Sequence, residues 1–222
     1  MSDKLNWKDR GDLVVEAAVA SIPYVGAALQ TAYFGSKNEK RFKRIESFYN
    51  ELNSDVSKLK SKMATSDQLQ SISDNLSDFM EATNNIIESQ SSLAKRSMLH
   101  NAFLTVLTSP SQIDWSETRF FMTTVNQIDL IDLQIMLALE KMPADKWATI
   151  KAIEDGSKLD HFYTVGLTER LVNFGYVEKR LGNISMLDDG TVIDTFFRTT
   201  ELGSHFLSFT MRPPVPDDSK DD

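Results

Sequence analysis

The chain has 222 residues, 41% of them hydrophobic and 25% charged, a globular balance with enough apolar material for one or two cores. Its 24 Lys and Arg face 32 Asp and Glu, a net charge of -8, which argues against coating nucleic acid with the whole surface. There is no cysteine, so disulfides, thiolate-bound zinc, iron–sulfur clusters and a thiol nucleophile are excluded.

Residues 1–11 mix Asp3, Lys4, Lys8, Asp9 and Arg10 and do not read as a secretory leader, so a cytoplasmic protein is expected. Residues 13–34 carry a single charge, Glu16, and are long enough to cross a bilayer as one helix. Ile22-Pro23-Tyr24-Val25-Gly26 interrupts them, and a proline there removes an N–H and clashes with the carbonyl four residues back. We therefore expect an apolar N-terminal segment, 1–36, of two short helices near 12–21 and 24–34, packed as core against the bundle that follows. The alternative is membrane action. Lys37, Lys40, Arg41, Lys43 and Arg44 stand against Glu39 alone, a local net of +4 that suits anionic headgroups beside an apolar stretch.

Residues 37–125 read as a helical hairpin or bundle. Phe42, Ile45, Tyr49, Leu52, Val56, Leu59 and Met63 recur at alternating spacings of three and four, a heptad seam that must bury itself against another helix. Thr65 with Gln68 three residues on has the pattern of a capping box. Leu69, Ile72, Leu76, Phe79, Thr83 and Ile86 then repeat the stripe. Two matched stripes joined by a short turn predict an antiparallel helical hairpin, or a coiled coil between two copies of the chain, which periodicity does not separate. If the seam is an interface, Phe42, Ile45, Tyr49, Leu52, Val56 and Leu59 are its anchors. Ser89-Gln90-Ser91-Ser92 reads as a polar break. A helix over 93–107 ends at Ser109-Pro110-Ser111, and Asp114 with Glu117 starts another.

Residues 126–212 change character. Ile128, Leu130, Ile131, Leu133, Ile135, Met136, Leu137 and Leu139 predict a helix apolar nearly all round, central to its domain and closed by Pro143. A second helix is expected near 144–154, stopped by Gly156, and a third near 160–174, stopped by Gly175. Residues 176–179, extended by 184–187, and 192–197 read as two strands about an Asp188-Asp189-Gly190 turn. Thr200-Glu201-Leu202-Gly203 opens a last helix with Phe206, Leu207 and Phe209. Residues 213–222 are proline-rich and acidic, with no apolar stripe, and are expected to be a disordered acidic tail.

Three helices, a β-hairpin and a closing helix follow the order of a winged helix. Leu171-Val172-Asn173-Phe174-Gly175-Tyr176-Val177-Glu178 and Thr199-Thr200-Glu201-Leu202-Gly203-Ser204-His205-Phe206-Leu207 resemble the third helix, wing and closing helix of bacterial winged-helix proteins. In those families the third helix usually enters the DNA major groove. This chain departs from that. Residues 126–222 hold 10 Lys and Arg against 17 Asp and Glu, and the cations on offer are Arg170, Lys179 and Arg180. Phosphate contacts supply most of the affinity of such modules, so an acidic, protein-binding winged helix is the expectation.

The whole layout resembles uncharacterised bacterial abortive-infection-alpha-like proteins. The likeness rests on Ile22-Pro23-Tyr24-Val25-Gly26, on Arg41-Phe42-Lys43-Arg44-Ile45-Glu46-Ser47-Phe48, and on Ala94-Lys95-Arg96 ahead of a helical core. It implies an antiviral defence setting and brings no catalytic residues with it.

The patterns of bond-making chemistry do not occur. His100, His161 and His205 are far apart, with no HExxH, and there is no GxSxG, GxGxxG or GxxxxGK. Glu154-Asp155 and Asp188-Asp189 read as solvated turn anions. Lys95-Arg96 is suited to pairing with a carboxylate or binding an anion, an ordinary solvated pair being the simpler reading. No cofactor, metal or small-molecule substrate is expected. The expectation is a mainly α, non-enzymatic adaptor that self-associates or docks through its helical part and binds a protein through its winged helix. A membrane-acting effector and a dimeric DNA-binding regulator are the alternatives.

Overall fold

Glu39–Lys58 forms α1, whose buried face carries Ile45, Phe48, Tyr49, Leu52 and Val56. The computed structural model describes residues 39–59, 62–89, 92–143, 146–187 and 190–211. The expectations for the apolar N-terminal segment, for Lys37, for the Asp188-Asp189 turn and for the acidic tail lie outside the described residues. So do the side chains of Glu39, Lys40 and Phe42. Among the described residues no helix is long and apolar enough to cross a membrane.

The described residues fall into two units, one running to Asn126 and taking in Thr210 and Met211, the other Gln127–Phe209. In the first, α2 (Ser66–Ser71), α3 (Ser73–Ser89), α4 (Leu93–Thr108), a 3-10 turn (Pro110–Gln112) and α5 (Trp115–Val125) follow α1. Thr65 starts α2 as the capping box requires: its hydroxyl accepts from Gln68 N at 3.3 Å, while Thr65 N donates to Gln68 Oε1 at 2.8 Å. The second stripe is not one helix, however. Ile72 leaves the helical region at φ -113 and ψ 14, so the stripe is divided between α2 and α3. Ser92 caps α4 by accepting from Lys95 N, and Asp114 caps α5 by accepting from Ser116 N and Glu117 N.

The stripes meet within the chain, α1 packing on α3 and α4. Phe48, Tyr49, Phe79 and Phe103 gather edge to face, with ring centroids 5.0 Å apart for Phe79 and Phe103 and 6.0 Å apart for Tyr49 and Phe103. Each such ring buried is worth about 1.5–3 kcal/mol of transfer free energy, and edge-to-face pairing adds to it. Tyr49 also donates its hydroxyl proton to Asn84 Oδ1 at 2.9 Å, both residues being buried. Burial pushes the Tyr49 phenol well above its ordinary value, and the Asn84 hydrogen bond offsets part of that rise. The unfolded chain therefore ionises this tyrosine first, and the stability the phenol contributes below about pH 10 is lost as pH rises beyond that. Tyr49→Phe is expected to lower stability by about 1–2 kcal/mol at neutral pH, because Asn84 loses a buried partner. It should also flatten the alkaline fall. Urea melts in neutral and alkaline buffer measure both, and an unchanged alkaline slope would contradict the assignment.

The second unit contains α6 (Leu130–Glu140), β1 (Ala148–Thr149), α7 (Ile150–Ser157), α8 (His161–Asn173), β2 (Val177–Leu187), β3 (Gly190–Thr199) and α9 (Glu201–Met211), whose end belongs to the first. The strands form an antiparallel sheet in the order β1-β3-β2, with Ala148 opposite Phe197, Val177 opposite Thr199 and Leu187 opposite Gly190. The α6 helix packs on α7, α8 and β3, burying Leu133, Ile135, Met136 and Leu139 while Leu130 stays 56% exposed. Of residues 131–140 only Gln134 is exposed, so past its first residue the helix is covered nearly all round.

The expected helix near 144–154 is corrected over its described residues. Ala148 and Thr149 pair with Phe197 and Phe196, and Thr149 then caps α7 by accepting from Ala152 N at 3.2 Å. Gly156 lies inside α7, where a Cβ would come 3.3 Å from Ala138 Cβ, and the left-handed cap is Lys158 at φ 58. Gly156 serves close packing, not helix termination.

Gly175 does end α8. At φ 76 it donates to Val172 O at 2.9 Å, and Tyr176 N donates to Leu171 O at 3.0 Å, the paired bonds of a Schellman motif. The chain then turns Tyr176 under α9, where its ring stacks on Phe206 at 4.5 Å.

Candidate functional site

Five of the six residues named from sequence as an interface are core residues, the side chain of Phe42 lying outside the described residues. Ile45, Tyr49, Leu52, Val56 and Leu59 are each at most 6% exposed, so these positions present no surface to a partner. Of the basic cluster, Arg41 and Lys43 are exposed. Arg44 is turned inward and donates through Nη2 to the backbone oxygen of Glu88.

The three cations named on the second unit are all engaged by its own side chains. Arg170 grips Asp132 with both arms of the guanidinium, Nε to Oδ1 at 3.1 Å and Nη2 to Oδ2. Asp132 is fully buried and also accepts from Asp129 N at 2.8 Å. Its hydrogen bond to Asp132 raises Arg170 above the ordinary guanidinium value, burial opposing it. This pair ties α8 to the first turn of α6. Lys179, on β2, is paired with Glu169 of α8. Arg180 lies over Trp147, its Cζ 4.6 Å from the ring centroid, and Arg198 lies over the same ring at 4.7 Å while pairing with Glu178. Guanidinium–indole contacts of this kind fix the side chains on the protein surface.

The large apolar side chains that α8 leaves to solvent are aromatic. Phe162 is 85% exposed and Tyr163 46% exposed, both in the first turn. Asp160 Oδ1 fixes that turn by accepting from Tyr163 N at 3.2 Å. His161 beside them is held by Glu154, Nδ1 to Oε1 at 2.6 Å, and its ring meets Phe162 edge-on at 5.3 Å. The core-facing stripe of α8 is Thr164, Leu167, Thr168 and Leu171, spaced three, one and three. Phe162 and Tyr163 fall before that stripe begins. The signal was in the sequence, because two large rings at the mouth of a helix whose inward face starts at Thr164 have no core to enter.

Large exposed rings on a rigid helix bind by excluding water, and such anchors dominate protein–protein contacts. To a phosphate backbone Phe162 offers nothing and Tyr163 a single uncharged hydroxyl donor. The acidic residues around this turn, Glu154, Asp155 and Asp160, are occupied by His161, by Lys151 at 3.0 Å from Asp155, and by the helix cap. The remaining histidines sit beside single carboxylates, His100 at 3.5 Å from Asp55 and His205 at 3.9 Å from Glu201. Among the described residues no group of three His, Asp or Glu is arranged to hold a metal ion.

No family model, curated protein or solved structure matches the chain.

Proposed function

We propose that the chain is a non-enzymatic interaction protein whose second unit is a winged helix that docks a protein partner through the first turn of α8. The observation that carries this reading is the pairing of bare aromatics with an occupied cation on one helix, beside a second occupied cation on β2. Phe162 and Tyr163 face solvent, while Arg170 is bound to Asp132 and the neighbouring Lys179 to Glu169. The order helix, strand, helix, helix, two strands, helix, with β1 beside β3, supports the winged-helix assignment. A DNA-reading copy needs cations free for phosphates, and their release of counterions makes its affinity steeply salt-dependent. The likeness to abortive-infection-alpha-like proteins supplies the setting we propose, bacterial antiviral defence in the cytoplasm.

The test compares the wild-type chain with Phe162→Ala/Tyr163→Ala as bait in host extract, with reciprocal purification of whatever the wild type retains. Retention of one protein by the wild type and its loss from the double variant, at unchanged melting temperature, is the expected result. Truncating two central anchors should weaken binding by about 2–4 kcal/mol, roughly thirty-fold or more. A low-salt gel shift with genomic fragments that disappears in the same variant would instead support the DNA-binding regulator.

A second reading, membrane action, draws on the exposure of Arg41 and Lys43 together with the apolar residues 13–34. Co-sedimentation with anionic vesicles that is abolished by charge reversal at Lys40, Arg41, Lys43 and Arg44 would favour it. Absence of co-sedimentation at low salt removes it.

A further inference from the structure

Gly166 lies in the middle of α8 and is exposed. Its backbone is not left-handed, and among the described residues nothing would come within 4 Å of a Cβ there. Neither the backbone nor a neighbour therefore calls for glycine, which costs the helix stability relative to alanine because it loses more freedom on folding. The missing side chain leaves a notch. Phe162 and Tyr163, four and three residues earlier, are its neighbours one turn back on the helix surface. Glu169 lies one turn beyond it, paired with Lys179 of β2.

The other wall belongs to β2. The chain reverses at Gly175, and the Lys179–Glu169 pair sets how β2 runs back along α8. Leu181 lies two residues past Lys179, roughly 7 Å further along the strand, a rise that α8 makes in about four to five residues. Leu181, 64% exposed, therefore comes level with Val165 and Gly166. The order β1-β3-β2 leaves the far edge of β2 without a strand beside it among the described residues. A partner that covers Phe162, Tyr163 and Leu181 also takes water from that edge, whose N–H and C=O groups then need new hydrogen bonds. A helix has few to give, because its backbone groups are paired within itself. Phosphate oxygens offer acceptors alone. An extended segment supplies donors and acceptors in alternation, at the spacing of a sheet. Charge limits its composition. Glu169 and Lys179 answer each other at the end of the notch, so a charged side chain laid there would lose its hydration for no counter-charge.

We propose that the protein partner docks as an extended, uncharged segment that adds a further strand to the edge of β2. One of its apolar side chains sits in the notch over Gly166, between the rings of Phe162 and Tyr163 and the side chain of Leu181. The assignment depends on α8 being the docking face, and adds to it the form of the segment that docks.

The test is selection of random peptides displayed on phage against the full chain, then hydrogen exchange of the chain with an enriched peptide made synthetically. Enriched peptides should share a short uncharged run of alternating apolar residues. The synthetic peptide should slow exchange at amides within residues 178–182 of β2, a result that needs no variant. Gly166→Ala is expected to melt higher than wild type, alanine being the better helix residue, and yet to bind the peptide more weakly. Gly166→Leu should bind it about ten-fold less tightly or worse, a loss of 1.4 kcal/mol. Unchanged binding in Gly166→Leu, no protection along β2, or no enriched peptide would each overturn the proposal. If binding is then still lost in Phe162→Ala/Tyr163→Ala, α8 stays the docking face and only the added strand is rejected. Binding indifferent to that double variant as well rejects both. A dimer in peptide-free solution that Gly166→Leu abolishes would give the groove to a second copy of the chain, and would also overturn the proposal.

Discussion

Arg170→Ala should destabilise the second unit by about 3–5 kcal/mol, the penalty for stranding a buried charge whose partner is removed. Asp132 is fully buried, and its carboxylate accepts from the Arg170 fork and from Asp129 N. Without Arg170, one backbone N–H is left to answer a charge that water cannot reach. The opposite truncation is milder. Arg170 has a side chain 37% exposed, so in Asp132→Ala it can turn towards solvent, and the loss is that of the hydrogen bonds and the helix start. Arg170→Lys should fall between, because an ammonium cannot reproduce two parallel bonds to one carboxylate. Urea denaturation of the three variants gives the order directly. Arg170→Ala within about 0.5 kcal/mol of wild type, the range of an ordinary surface substitution, would show that the pair does not hold α8 to α6.

Gly203→Ala is the second large effect. A Cβ at that position would lie 2.2 Å from the backbone oxygen of Tyr176 and 2.9 Å from Thr199 Cγ2, well inside any permitted contact. The Tyr176 carbonyl is not free to yield. Tyr176 N is bonded to Leu171 O, its own oxygen accepts from Thr200 N at 3.0 Å, and Thr200 Oγ1 donates to Gly175 O at 2.6 Å. Thr200 also caps α9 by accepting from Gly203 N at 3.0 Å. Relief requires the first turn of α9 to lift, which opens the stack of Phe206 on Tyr176. A cost of about 3 kcal/mol or more is expected, the upper end of overpacking. Gly175→Ala is the informative comparison. Its Cβ would meet Leu202 Cδ2 at an ordinary 3.6 Å, so it carries only the strain of φ 76, about 1–2 kcal/mol. Thermal melts that rank Gly203→Ala well below Gly175→Ala support a steric cause. Equal melting temperatures would contradict it.

Local chemistry was legible in the sequence. Thr65 with Gln68, Asp114 and Gly175 announce helix ends because each acts within a few residues of itself. The heptad stripe of α1 was legible for the same reason, but its partner was not. A period tells which face is apolar and says nothing about whether the covering helix belongs to the same chain. Features that depend on distant residues were misread or missed. A two-residue strand at Ala148–Thr149 exists only because Phe197 and Phe196 lie beside it, 49 and 47 positions on. Arg170 looked like a surface cation because Asp132, 38 residues earlier, sits in a helix that reads as almost wholly apolar. Trp147 gave no hint that two arginines would lie over it. Phe162 and Tyr163 were legible in part: the stripe beginning at Thr164 excludes them from the core.

The central claim is that α8 presents Phe162 and Tyr163 to another protein. Photo-crosslinking in host cells tests it most directly, with a benzophenone amino acid at position 162 and, as control, at the exposed Lys151 position. The account predicts a discrete protein adduct from position 162 that is absent from position 151 and lost when Tyr163 is replaced by Asp. Adducts to nucleic acid or lipid from position 162, or the same protein adducts from both positions, would contradict it.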